Sequence, residues 1–153
     1  MTETEIIDEN KLVMRRRYAA SPERLFEAWT KPSLLQHWFM PNERWAWTKA
    51  DIDLRVGGRY RIVMRHSDGD EFIVGGAYRV VDAPSKLSFT FSWEKNPMDN
   101  QRHDTIVTLD FATVDGGTEL TLTHERFAAK QDAEQHSQGW GGMLDMLQKY
   151  VDA

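Results

Sequence analysis

The chain has 153 residues, a net charge of −5 and no cysteine. That length suits one hydrophobic core rather than two, and the missing thiols exclude disulfides, thiolate metal sites and a cysteine nucleophile while suiting a reducing compartment. Charges of both signs are scattered along the chain, so there is no basic face to neutralise phosphates, and nucleic acid is not an expected partner.

Residues 1–10 are acidic and polar and read as a flexible N-terminus, without the basic and apolar tracts of a signal peptide. Apolar runs stay far below the roughly 20 residues that span a bilayer, so no membrane association is expected and the cytoplasm is the expected compartment. A single domain is expected over 11–153. Its first strand, Lys11 to Ala20, sets Leu12, Met14 and Arg16 against Val13, Arg15 and Arg17; the basic run is split between two faces and reads as solvated edge charge. Ser21-Pro22-Glu23 then opens a helix with a capping hydroxyl, a proline at the first turn and an acid at the positive end of the dipole. Lys31-Pro32 starts a second short helix that ends near Trp38-Phe39.

From Trp45 the period falls to two. A strand through Ile52 and Leu54 closes at Gly57-Gly58, read as a tight turn with positive φ and no ligand contact. Tyr60, Ile62 and Met64 share one face of the next strand, and Ser67-Asp68-Gly69-Asp70 is a hairpin turn. Phe72, Val74, Gly76, Tyr78 and Val80 form the inner row that follows. Leu87, Phe89, Phe91 and Trp93 alternate with Ser88, Thr90 and Ser92, the pattern of a half-buried strand. A polar loop over 94–102 leads to Val107, Leu109 and Phe111, and the last strand carries Leu120, Leu122 and His124. Beyond Lys130, Trp140, Leu144, Leu147 and Val151 form a helical stripe flanked by Met143. Gly139, Gly141 and Gly142 are costly there, so a close backbone approach to the sheet or a ligand is expected. The whole predicts an α+β helix-grip fold: a curved antiparallel sheet of about seven strands wrapped around a long C-terminal helix, with two short helices after strand one.

With these elements in order, the chain resembles the family of activators of heat-shock-protein-90 ATPase homologues, in the START/Bet v-like superfamily. The resemblance runs over about Lys11 to Val151. It rests on residues 20–30 (ASPERLFEAWT), on His37-Trp38-Phe39, on residues 53–60 (DLRVGGRY) and on Gly139-Trp140-Gly141-Gly142-Met143-Leu144. It implies a helix-grip fold around a cavity that in relatives accepts lipids, hormones or polyketide-like molecules.

Six Trp, seven Phe and four Tyr are a heavy aromatic load, suited to lining a pocket for a flat ligand. The expected cavity, several hundred cubic ångströms in volume, is lined by the inward rows: Tyr60, Ile62 and Met64; Tyr78; Phe89, Phe91 and Trp93; Leu109 and His124. Trp140, Met143 and Leu144 of the helix complete it, with Trp38 at the mouth beside Phe39, Trp45 and Trp47. Of these, His124 shares strand parity with Leu120 and Leu122, and is expected to orient a ligand by one hydrogen bond or to lie hydrogen-bonded in the core. No catalytic motif, metal-ligand spacing or cofactor loop is present, so no catalytic residue, metal or cofactor is assigned. The expected function is binding of a small hydrophobic molecule. The alternatives are a polyketide cyclase- or hydrolase-like enzyme and a chaperone-associated protein. Aromatic side chains near the mouth make a homodimer a further expectation.

Overall fold

A computed structural model describes residues 3–96 and 104–152. The elements are β1 (Glu3–Ile7), β2 (Lys11–Tyr18), α1 (Pro22–Thr30), α2 (Pro32–Leu35), β3 (Trp45–Ile52), β4 (Arg59–His66), β5 (Glu71–Asp82), β6 (Lys86–Lys95), β7 (Thr105–Val114), β8 (Gly117–Glu125) and α3 (Lys130–Val151). One antiparallel sheet runs in the order β1-β2-β8-β7-β6-β5-β4-β3. Strands β3 to β8 form the expected meander, and β2 returns to the free side of β8. The helix-grip architecture is thus as the sequence indicates. Residues 97–103 of the expected polar loop lie outside the described residues, and β6 continues through Lys95 before it.

Among the described residues the sheet has eight strands rather than about seven. The addition is β1, where the sequence suggested a flexible start; it joins β2 through a turn closed by the Asp8 amide on the Lys11 carbonyl, at 2.8 Å. Edge strands need only backbone pairing, so the polar Glu3-Thr4-Glu5 stretch gives no alternating signal of burial. The pairing makes β2 an interior strand and corrects the reading of its basic run. Arg16 lies on the Leu12–Met14–Tyr18 face, is buried, and reaches Asp145 of α3 at 2.6 Å.

Local signals explain the helices. Ser21 caps α1 by accepting from the Arg24 amide, and Pro22 occupies the first turn. Helix α2 is one turn long and stops before Trp38-Phe39. Helix α3 buries Ala133, Ser137, Trp140, Met143, Leu144, Leu147 and Val151 along one stripe, and Tyr18 of β2 ties it down by donating to the Leu144 carbonyl at 3.1 Å. Among the described residues, no helix is long and apolar enough to cross a membrane.

At the turn between β3 and β4, Gly57 has φ +84°, and a Cβ on Gly58 would overlap the Asp53 carbonyl oxygen. The turn is also bonded to β5: the Gly57 amide donates to the Tyr78 carbonyl and the Tyr78 amide to the Gly58 carbonyl, both at 2.9 Å. Gly58→Val is expected to lower stability by roughly 1–3 kcal/mol, a fall of several degrees in Tm. Thermal unfolding checks this; an unchanged Tm would remove the structural role.

Candidate ligand-binding site

Strand register assembles the site. Tyr60 and Ile62 of β4 pair with Gly76 and Val74 of β5, and Tyr78 of β5 pairs with Phe89 of β6. The Tyr60, Tyr78 and Phe89 rings therefore meet, with centroids 5.5 Å (Tyr60–Tyr78), 5.2 Å (Tyr60–Phe89) and 6.1 Å (Tyr78–Phe89) apart. Across from them, α1 and the segment after it contribute Trp29, Leu35 and Phe39. These residues, with Ile52, Ile62, Leu87 and Phe91, line a half-open void of about 20 Å³.

That volume corrects the expectation of several hundred cubic ångströms. It has room for one water-sized group, far below the roughly 300–1,000 Å³ of a small-molecule pocket. Alternation tells which side chains point inward, but not how tightly those from opposite elements interlock. A larger, open hollow of about 580 Å³ lies on the opposite, solvent-facing side of the sheet, bordered by Asp51, Ile52, Asp53, Arg59, Tyr60, Arg61, Gly75 and Glu94. Ile52 and Tyr60 border both spaces. The Tyr60 hydroxyl donates to the Thr90 carbonyl at 2.6 Å, which fixes its ring. Ile52 is half-buried and ends β3, the edge strand.

Tyr60, Ile62, Tyr78, Phe89 and Phe91 are the expected site residues that line the void. Trp38, Met64, Trp93, Leu109, His124, Trp140, Met143 and Leu144 do not border it. Trp38 is fully buried behind it, donating to the Ala28 carbonyl at 2.9 Å and packing edge-on against Trp29 at 4.6 Å. Met64, Leu109, Met143 and Leu144 are core. Trp29 and Leu35 were missed as lining, because a helical stripe marks burial without separating core from cavity wall.

His124 belongs to a closed chain of hydrogen bonds. The Trp140 indole N–H donates to its Nδ1 at 3.0 Å, which leaves Nε2 to carry the proton and donate to Thr105 Oγ1 at 2.6 Å. Thr105 in turn donates to the Phe91 carbonyl at 2.8 Å. Burial strips hydration from the imidazolium and holds the His124 pKa well below its ordinary 6.5, and the His136 ring 5.0 Å away adds to the effect. His136 accepts from the Trp93 indole at 3.1 Å. His124 is therefore a neutral core histidine with both nitrogens engaged, rather than the ligand contact suggested by its inward parity. Trp140 and Trp93 are its partner and its neighbour's partner.

The tyrosine hydroxyls are also held neutral. Burial raises the Tyr60 pKa far above its usual range, helped by Tyr78, and burial alone raises that of Tyr78. These hydroxyls can donate and accept hydrogen bonds. Among the described residues no group of His, Asp and Glu is placed to hold a metal ion.

The family described as "Activator of Hsp90 ATPase homolog 1-like protein" matches residues 19–152. Among solved structures, protein CV1439 from Chromobacterium violaceum is 24% identical with a TM-score of 0.79, the match covering 94% of this chain and 98% of that one. The AHSA1 protein from Silicibacter pomeroyi is 25% identical with a TM-score of 0.75, over 91% of this chain and 95% of its own. CalU16 from Micromonospora echinospora is 21% identical, with a TM-score of 0.72, over 99% of this chain and 87% of that one. No match emerges among curated proteins.

Proposed function

Since the chain belongs to the Activator of Hsp90 ATPase homolog 1-like family, whose fold commonly holds hydrophobic ligands, we propose that it binds a small apolar or aromatic molecule between the sheet and the helices. The observation that carries this reading is the lining of the void, made of rings and aliphatic chains from the sheet, α1 and the segment after it, with no charged residue among them. Tyr60 is tethered to Thr90, whereas Ile52 sits at the end of an edge strand, so Ile52 is the side of the void that yields. A ligand must open the void, and the work of opening lowers the apparent affinity of the closed form. An enzyme built on His124 would first have to break the Trp140 and Thr105 hydrogen bonds, which favours binding over catalysis.

The test is titration with indane, followed through the ring resonances of Tyr60, Tyr78 and Phe89. Saturable shifts confined to those rings are expected, and Ile52→Ala, which opens the void at the edge strand, should speed association by about tenfold. No saturable binding by either form up to the solubility limit overturns the proposal.

A further inference from the structure

The ladder between β5 and β6 has a gap beside the site. Gly75 pairs with Ser92 and Tyr78 with Phe89, but the residues between them, Gly76 and Ala77, form no ladder pair with Phe91 and Thr90. Backbone groups left unpaired inside a sheet are costly, so other partners take them up. Thr90 resolves two of them. Its Oγ1 accepts from the Ala77 amide at 2.8 Å, and its own carbonyl, released from the ladder, accepts from the Tyr60 hydroxyl at 2.6 Å. One residue of β6 thus grips the backbone of β5 and a side chain of β4.

Gly76 makes this grip possible. It shares the inward row of Val74 and Tyr78, yet a Cβ there would overlap both the carbonyl oxygen and Oγ1 of Thr90. The absence of a side chain lets Thr90 come close enough to hold both partners.

The ring that Thr90 holds stands where access to the void is decided. Tyr60 lines the void, packs against Phe89 and Tyr78 at 5.2 and 5.5 Å, and is the cross-strand partner of Ile52. With its hydroxyl bound, the Tyr60 ring cannot swing aside. Ile52, an aliphatic chain, has no hydrogen bond to hold it. Thr90 itself is not part of the lining.

We infer that Thr90 is a positioning residue of this site: by holding Tyr60 it keeps the β4 wall of the void shut and leaves Ile52 as the wall that moves. The inference rests on the apolar-ligand reading and gives control of entry to a residue outside the lining.

The test follows the Tyr60 hydroxyl proton by NMR, and indane association, in wild type, Thr90→Val and Thr90→Ser. Thr90→Val removes the hydroxyl, and Thr90→Ser keeps it. Thr90→Val should speed exchange of the Tyr60 hydroxyl proton at least about tenfold, and leave within about twofold that of Tyr18, which donates to Leu144 elsewhere in the interior. It should also speed indane association by about tenfold, because a second wall now yields. Thr90→Ser should behave as wild type in both. Should Thr90→Val fail to fold, Tyr60→Phe removes the tether from its other end and should speed association to the same degree. Unchanged Tyr60 exchange in Thr90→Val, an equal change at Tyr18, or no rescue by Thr90→Ser overturns the inference. So does an unchanged association rate in Thr90→Val or, in its place, in Tyr60→Phe. Failure of indane to bind wild type overturns the ligand reading, and the hydroxyl exchange still decides whether Thr90 holds Tyr60.

Discussion

His124→Leu is expected to destabilise the protein by roughly 2–4 kcal/mol at pH 7.5, because it leaves the buried Trp140 indole without an acceptor and misfits a site shaped for an imidazole. Phe127 and Phe91 pack on that imidazole with centroids 4.3 and 4.9 Å away, so little space exists for a branched replacement. The same variant should alter the pH dependence. In the folded protein His124 stays neutral well below its ordinary 6.5, whereas the unfolded chain takes up the proton near that value. The unfolded state therefore binds more protons just below pH 6.5. Stability is complete above that pH and falls as the pH drops, by up to about 1.4 kcal/mol per unit. Glu71 and Glu94, whose carboxyls Arg65 and Arg61 hold below the ordinary 4.5, lose their contribution only in a lower window. Urea unfolding at pH 7.5, 6.5, 5.5 and 5.0 checks this. Wild type should show the slope between 6.5 and 5.0, and His124→Leu a shallower one from a lower start. Parallel slopes would mean that the imidazole is not held neutral.

Gly142→Val should cost about 3 kcal/mol or more, and Gly139→Ala should add about 1 kcal/mol of stability. All three glycines in the middle of α3 carry the same helical penalty, so their environments decide the outcome. A Cβ at Gly142 would overlap the carbonyl oxygen of Pro41, in the segment between α2 and β3, and that backbone cannot retreat without disturbing Phe39 and the wall of the void. A Cβ at Gly139 meets nothing within 4 Å, and one at Gly141 meets the Met14 methyl at an ordinary 4.0 Å. The close approach expected from the glycine cluster is thus made by one of its three members, to a loop rather than to the sheet. Thermal unfolding of Gly139→Ala, Gly142→Ala and Gly142→Val should rank them in that order from most to least stable. Equal effects of alanine at 139 and 142 would contradict the contact with Pro41.

How much of this was legible in the sequence depended on the kind of signal. Period-two alternation gave the inward parity of Tyr60, Ile62, Tyr78, Phe89 and Phe91, because a strand has only two faces. It also placed Arg16 on the inner face, but nothing nearby in the sequence announced a partner 129 residues away on α3. Inward parity alone could not divide the pocket from the core: His124 and Phe91 both point inward, yet one is enclosed by hydrogen bonds and the other borders the void. Trp29 read as one more member of a helical stripe, since lining a void is a property of the assembled interior. Void volume was the least legible quantity, being a small difference between large packed volumes.

The strand order has a consequence for synthesis. Strand β2 pairs with β8 from Lys11↔Glu125 to Tyr18↔Thr118, so the second strand made must wait for the last one before that pairing can form. The β3-to-β8 meander can assemble by neighbouring hairpins as it leaves the ribosome. Its concave apolar face stays bare until α3, ending at Val151, arrives to cover it. Loop closure over more than a hundred residues is slow, and a nascent sheet with an uncovered face is open to association with other chains. The chain therefore has its most aggregation-prone interval between the completion of β8 and the arrival of α3, and a translational pause placed there would lengthen that exposure.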